Sequence, residues 1–252
     1  MPRGVAADFQ VSLAQTEADV QAAQRLRYDV FVRELGGGGP MVDHAAGLER
    51  DRFDPYFDHL LLTDRRSGKL AGVYRVMRGD MAARAGGFYS AAEYDLAPLV
   101  QSGRKLLELG RSCLDPAYRG GTAMHHLWAA LAGYVAEHEI EVLFGVASFH
   151  GTDTAALAGP LSLLHHRHLA PSDLRVRARE YVPMDLIPEA ELDRRKAMLA
   201  VPSLIKAYLR LGGTVGEGAY IDRAFNTTDV CLILDTKQMS ARQMRFYGGG
   251  AA

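Results

Sequence analysis

No stretch of the 252 residues approaches the roughly 20 consecutive apolar positions that a bilayer-spanning helix needs. The first residues, MPRGVAADFQVSLAQTEAD, lack the apolar centre of a secretion signal. A cytosolic chain, at most peripherally membrane-bound, is expected. There are two cysteines, Cys113 and Cys231, both in apolar runs, which argues against a disulfide framework and for reduced core thiols. An excess of one charge is missing as well. With 29 Lys and Arg against 30 Asp and Glu, nothing suggests nucleic acid or a strongly charged partner. The chain has no internal repeat, no GxSxG elbow and no HExxH spacing. His125-His126 and His165-His166-Arg167-His168 have no companion cluster of cysteines or carboxylates, and adjacent helical residues point in different directions. No metal is expected.

What is present is an ordinary globular composition, 48% hydrophobic and 23% charged, in a length that fits one large domain with room for an extension. Thr16-Glu17-Ala18-Asp19 resembles a capping box and predicts a helix to about Leu35, closed by Gly36–Gly39 and Pro40. Strands at His59–Thr63 and Leu70–Met77 flank a turn with Ser67-Gly68 and read as a hairpin. A short helix near Tyr94–Val100 precedes a strand over about Lys105–Leu114. A helix from Thr122 to about His138 follows, then a buried strand over Val142–Phe149. Thr152 or Asp153 is placed to cap a further helix toward His168, which Pro160 should kink or break. Val176–Val182 reads as a strand. After Pro183 come an apolar helix around Ser203–Leu211, strands near Thr214–Ile221 and Val230–Leu234, and a last helix from Ser240. This order predicts a mixed sheet with helices on both faces.

The most informative stretch is Leu106–Trp128, LLELGRSCLDPAYRGGTAMHHLW. A strand passes through the basic, glycine-rich turn Arg119-Gly120-Gly121 onto a helix N-terminus beginning near Thr122. Glycines permit close backbone approach, while free N–H groups and the helix dipole favour an anion. Glu108 and Arg111 are charges inside an otherwise apolar strand, where a lone buried charge is costly. Cys113 as a nucleophile requires a setting that lowers its pKa.

The order of hairpin, central strand, glycine-rich turn, helix and apolar strand resembles the acyl-CoA N-acyltransferase (GNAT) superfamily. Its signature turn, roughly Arg/Gln-x-x-Gly-x-Gly/Ala, is degenerate here as Arg119-Gly120-Gly121-Thr122-Ala123. That departure favours the single phosphate of a carrier-protein phosphopantetheine arm over coenzyme A. Arg27 and Phe31, then Glu49, Asp51 and Asp54, then Arg75, then Glu108 and Arg111 occur in an order that resembles the acyl-homoserine lactone synthases. The C-terminal block does not. With SFHGTD at Ser148–Asp153 and YVPM at Tyr181–Met184, the strings LIKAYLRLG and IDRAFNTTDV resemble the bacterial ornithine-lipid acyltransferases over roughly Val11–Asp235.

The resemblance implies an α/β (α+β) fold with a GNAT-like, mostly antiparallel central sheet and helices on both faces. Residues 1–183 would form the core, and 184–252 a C-terminal α/β extension packed on the same domain. It implies transfer of a 3-hydroxyacyl group from acyl carrier protein to the α-amine of L-ornithine, giving lyso-ornithine lipid, with no tightly bound cofactor. In that frame Glu108 is expected as general base, and backbone N–H groups near Leu114 as the oxyanion site. Arg119, Gly120, Gly121 and Thr122 are expected to hold the donor's phosphate. Asp51 and Asp54 are expected at the ornithine side-chain ammonium, Arg75 or Arg111 at its carboxylate, with Asp222 and Asn226 as further candidates. Lys196–Leu211 reads either as a core helix or as one lying in the face of the inner membrane. Acylation of glycine or glutamine, lactone synthesis from S-adenosylmethionine, and a non-catalytic acyl-carrier or lipid-binding module remain alternatives.

Overall fold

A computed structural model describes residues 8–239. Strand β1 (Phe9–Leu13) leads to helix α1 (Glu17–Arg27), which opens on a complete capping box. The Thr16 hydroxyl accepts the Asp19 N–H, and Asp19 reaches back to the Thr16 N–H. The helix widens without a break into a π-helical segment over Tyr28–Glu34. Two short strands, β2 (Val42–Asp43) and β3 (Leu48–Glu49), pair with each other. The expected hairpin is β4 (Asp58–Asp64) and β5 (Lys69–Arg78). Helix α2 (Gly79–Ala85), strand β6 (Tyr94–Asp95) and helix α3 (Ala97–Gln101) then precede β7 (Leu106–Leu114). Helix α4 (Ala123–Glu137) and strand β8 (Val142–His150) follow. The remainder is α5 (Ala158–His168), β9 (Arg177–Ala178), α6 (Arg194–Ala200), α7 (Ser203–Arg210), β10 (Thr214–Val215), β11 (Tyr220–Asp222) and β12 (Thr227–Asp235).

The main sheet runs β1-β4-β5-β7-β8-β12-β10, with β11 also on β12. Among the described residues only β7 and β8 run parallel within it, consistent with the crossover through α4. Strand β12 pairs with β8 over its full length, so the C-terminal block completes the same sheet. One face carries α4 through α7 on a core that includes Leu62, Leu107, Leu127, Leu131 and Ile205. The other carries α1, α2 and α3 over two smaller clusters around Val73 and Cys113 and around Met77 and Phe144.

Three expectations change. Pro160 neither kinks nor breaks a helix; it lies in the first turn of α5, where its missing N–H costs no intrahelical bond. Val176–Val182 is extended only at Arg177–Ala178, with single bridges from Arg177 to Glu217 and from Val182 to Ala219. Lys196–Leu211 is two short helices broken at Val201-Pro202, and Ala197, Val201, Ile205, Tyr208 and Leu211 are buried in the main core. One side of that segment is thus core, while Leu199 on it is exposed. Among the described residues no helix is long and apolar enough to cross a membrane. The helix expected from Ser240 lies outside the described residues.

Candidate active site

The site begins where two strands stop pairing. β7 and β8 are in register only from Leu106 to Glu108 against Val142 to Phe144. At the next position Gly145 lies so close that a Cβ there would fall 2.2 Å from the Leu109 carbonyl oxygen, so only glycine fits. Beyond it β7 bends away from β8. Its pairing with β5 runs Arg75 to Gly110 but Val73 to Cys113, one extra residue on β7, and Arg111 at that point has φ of +53°. A bulge of this kind turns a strand and re-aims its side chains. The left-handed backbone of a bulky residue costs about 1–3 kcal/mol, offset here by the side chain. Arg111 Nε donates to Glu49 Oε1 at 3.0 Å and Nη2 to the Tyr89 hydroxyl at 3.1 Å. Its guanidinium sits 4.9 Å from the Tyr89 ring centre and 5.1 Å from that of Phe225.

The divergence leaves a gap through the sheet, with a cavity on each side. One is a pocket of about 280 Å³ lined by Tyr89, Glu93, Arg111, Val146, Asp222, Phe225 and Asp229. The other, of about 480 Å³, lies against α4 and α7 and is lined by Val30, Cys113, Leu114, Met124, Trp128 and Ala207, reaching Arg119 and Gly120. Phe31, Leu35, Ser112 and Leu204 line both, so the two spaces meet across the gap. The π-helical turn after α1 is what brings Phe31 and Leu35 over it. Asp115 donates its N–H to Ala71 on β5 at 2.9 Å. Since N–H groups alternate in direction along a strand, the Leu114 N–H points to the other side, toward the gap.

The polar pocket has an acidic end. Oxygens of Glu93, Asp222 and Asp229 lie within 4.8 Å of one another. Glu93 follows the tight turn Tyr89–Ala92, Asp222 ends β11, and Asp229 stands on β12 opposite Ser148. Glu93 is 6% exposed and Asp229 3%, yet Glu93 Oε2 and Asp229 Oδ1 have no hydrogen-bond partner. Burial, reinforced by the Asp229 and Asp222 carboxylates, raises the Glu93 pKa well above the ordinary range. Burial and Asp222 raise Asp229 in the same direction. Asp222 also accepts the N–H groups of Ala224 and Phe225, which turns the chain into β12.

The charges of the N-terminal half meet one another instead of a ligand. Arg27 binds Asp54 through both terminal nitrogens, at 2.8 and 3.0 Å, and Glu49 through Nε at 2.5 Å. Arg75 binds Asp54 at 2.5 Å and Asp51 at 2.7 Å. All five side chains are nearly inaccessible. Although burial pushes the Asp54 carboxyl up, Arg27 and Arg75 hold it well below the usual carboxylate range. The expectation that Asp51 and Asp54 receive a substrate ammonium, and Arg75 its carboxylate, is therefore corrected: these buried charges neutralise one another and line neither cavity, and only Arg75 Nε among their guanidinium nitrogens is left without a hydrogen-bond partner. Arg111 belongs to the edge of the same network but also lines the pocket.

Glu108 is corrected too. It is 1% exposed, lines neither cavity, and accepts the backbone N–H groups of Tyr89 at 2.8 Å and Ser90 at 2.6 Å. Both oxygens are thus committed to holding the turn that presents Tyr89 and Glu93. Asn226 is an exposed turn residue with φ of +53°, a conformation asparagine tolerates, and it does not line the pocket. Arg119 is already paired with Glu34 at 2.5 and 2.7 Å, and its Nε and Nη2 bind the Leu114 carbonyl. Gly120, with φ of +75°, faces the larger cavity; Gly121 and Thr122 are exposed outside its lining. Burial pushes the Cys113 thiol up to about 12, the wrong direction for a nucleophile. Sequence reasoning missed Tyr89, Glu93 and Asp229. A signal existed only for Asp229, a charge inside the apolar run TTDVCLIL, the same kind of oddity that drew attention to Glu108.

Comparison with known proteins agrees with the fold. Residues 26–129 match the family model described as an acetyltransferase (GNAT) domain. The L-ornithine Nα-acyltransferase of Rhodobacter capsulatus is 58% identical over 95% of this chain and 94% of its own length. The enzyme of the same name from Brucella abortus is 43% identical over 96% and 90%. Among solved structures, FeeM, an N-acyl amino acid synthase from uncultured soil microbes, superposes with a TM-score of 0.55 at 13% identity, covering 92% of this chain and 93% of its own. The acyl-homoserine lactone synthase LasI gives a TM-score of 0.51 at 15% identity over 98% of each chain.

Proposed function

The chain belongs to the L-ornithine Nα-acyltransferase family, and from that membership we propose that it transfers a 3-hydroxyacyl group from acyl carrier protein to the α-amine of L-ornithine, forming lyso-ornithine lipid. The observation that carries this reading is the gap between β7 and β8, open to an apolar cavity on one side and a polar pocket on the other. A thioester entering along the α4 side and an amino acid entering from the acidic side meet across one strand edge. Holding both there supplies much of the rate acceleration without an acyl-enzyme.

The phosphopantetheine arm lies along the larger cavity, with its phosphate toward Arg119, Gly120 and the N-terminus of α4. Gly121 and Thr122 border that approach from outside. The carboxylate of the acceptor pairs with Arg111, and the same guanidinium disfavours the protonated form of the neighbouring α-amine. The neutral nitrogen attacks the thioester carbonyl, and the Leu114 N–H faces the oxygen that becomes negative. As the carbon–sulfur bond breaks, the nitrogen loses its second proton to water and the pantetheine thiolate gains one. The acidic end of the pocket favours a dibasic acceptor over glycine or glutamine.

Incubating the purified chain with 3-hydroxyacyl carrier protein and separate amino acids, while following free thiol, tests this. Release with ornithine and formation of the acyl-ornithine by mass are expected. Equal release with S-adenosylmethionine, or none with any amine, overturns it.

A further inference from the structure

Among the described residues, buried carboxylates elsewhere are matched. Glu49, Asp51 and Asp54 meet arginines at 2.5–3.0 Å. The Glu93, Asp222 and Asp229 cluster breaks that rule: all three residues line the pocket, and two of them are more than nine-tenths buried, each with one oxygen that has no hydrogen-bond partner. Buried acidic groups in contact repel one another and lose hydration, so without ligand the cluster is relieved by taking up a proton, and its ionised form needs a cation. Three carboxylate oxygens within 4.8 Å suit the three donors of one ammonium group. A hard divalent ion is a poorer fit, because the Arg111 guanidinium stands in the same pocket and repels a doubly charged ion more than a singly charged one.

Resting on the acyl-transfer reading for the identity of the acceptor, we infer that Glu93, Asp222 and Asp229 bind the side-chain ammonium of the amino acid and set the enzyme's preference for a dibasic acceptor. The pocket then has two poles. Arg111 takes the carboxylate at one, the acidic cluster takes the distal ammonium at the other, and the α-amine between them faces the gap. A neutral amino acid of the same length would leave the cluster without its counter-charge. Discrimination thus comes from the site's own unpaired groups as much as from the ligand.

The test compares ornithine with norvaline, which has the same carbon chain and no side-chain amine, in wild type, Asp222→Asn and Glu93→Gln. Asp222→Asn keeps the oxygen that caps Ala224 and Phe225, so it is the variant expected to fold undisturbed. In wild type kcat/KM should favour ornithine over norvaline by about 10- to 100-fold or more, and each variant should cut that ratio by about tenfold, as removal of a charge-assisted hydrogen bond does. A ratio that stays high while both activities fall together would overturn the inference, placing the cluster at the reacting amine instead. So would a wild type that does not discriminate.

Titration calorimetry without acyl donor gives a second readout. Ornithine should bind and norvaline should not. Magnesium or calcium binding lost in Glu93→Gln, with no ornithine binding, would also refute the ammonium assignment. Since that measurement needs no donor, absent acylation with intact ornithine binding would count against the acyl-transfer reading alone.

Discussion

Replacing Asp54 by asparagine separates a structural charge from a substrate-binding one. The carboxylate receives Arg27 twice, Arg75 once, the Gln24 amide at 2.9 Å and the Asp51 N–H at 3.3 Å. An asparagine turns one of those oxygens into a donor facing other donors and leaves two buried guanidinium groups short of negative charge. Breaking a buried ion pair from one side costs about 3–5 kcal/mol. In a chain of this size that lowers the melting temperature by about 6–20 °C. The sign with pH follows from the depressed folded-state pKa of Asp54. Its contribution is complete above the ordinary aspartate value and is lost as pH falls through the folded value. The gap between wild type and Asp54→Asn should therefore be constant at neutral pH and close only below about pH 4. Thermal melts from pH 7.5 to 3.5, paired with the KM for ornithine at a temperature where both proteins are folded, make the measurement. A melting temperature within 2 °C of wild type, or a KM raised about tenfold in a stable protein, would refute the reasoning.

Glu108→Gln should lose about 1–3 kcal/mol of stability, because the amide keeps one accepting oxygen and sets its NH₂, a donor, against the second of the Tyr89 and Ser90 N–H groups. Acylation should stay within about tenfold of wild type if both Glu108 oxygens serve only the Tyr89–Ser90 turn; a loss of several hundredfold in folded protein restores it as the base. The raised carboxyl pKa of Glu93 means that the folded chain, without ligand, binds a proton the unfolded chain has released. Stability should accordingly fall as pH rises above the ordinary glutamate value, and Glu93→Gln should flatten that slope in denaturant titrations between about pH 5 and 8. Ornithine favours the ionised cluster, so its KM should drop over the same interval; a rise in KM counts against the cluster as its site.

The hairpin, β7, α4 and β8 were legible because each combines clear periodicity with a turn or cap that suits it. Val176–Val182 was misleading. Alternation of the apolar Leu174, Val176 and Ala178 with Arg175, Arg177 and Arg179 imitates a strand, yet the segment meets β6 and the turn before β11 through short or isolated bridges. The charged pattern from Arg27 to Arg111 was visible, but opposite charges spaced along a chain do not say whether they meet a ligand or one another. Burial decided for the second at Arg27, Glu49, Asp51, Asp54 and Arg75. Glu93 carried no signal at all, since it stands in a non-periodic turn and gains its chemistry only from β11 and β12, more than a hundred residues away.

The arginine–carboxylate network also constrains how the chain becomes competent. Its members come from α1, from β3 with the turn that follows it, and from β5, with Arg111 of β7 at its border. Docking any two of these elements alone strands a desolvated charge that only the third can neutralise. Partial assembly is therefore penalised electrostatically, which couples the placement of α1, and of the Phe31 and Leu35 wall that continues it, to that of β3 and β5. The same three elements that neutralise the network thus also set the position of one wall of both cavities.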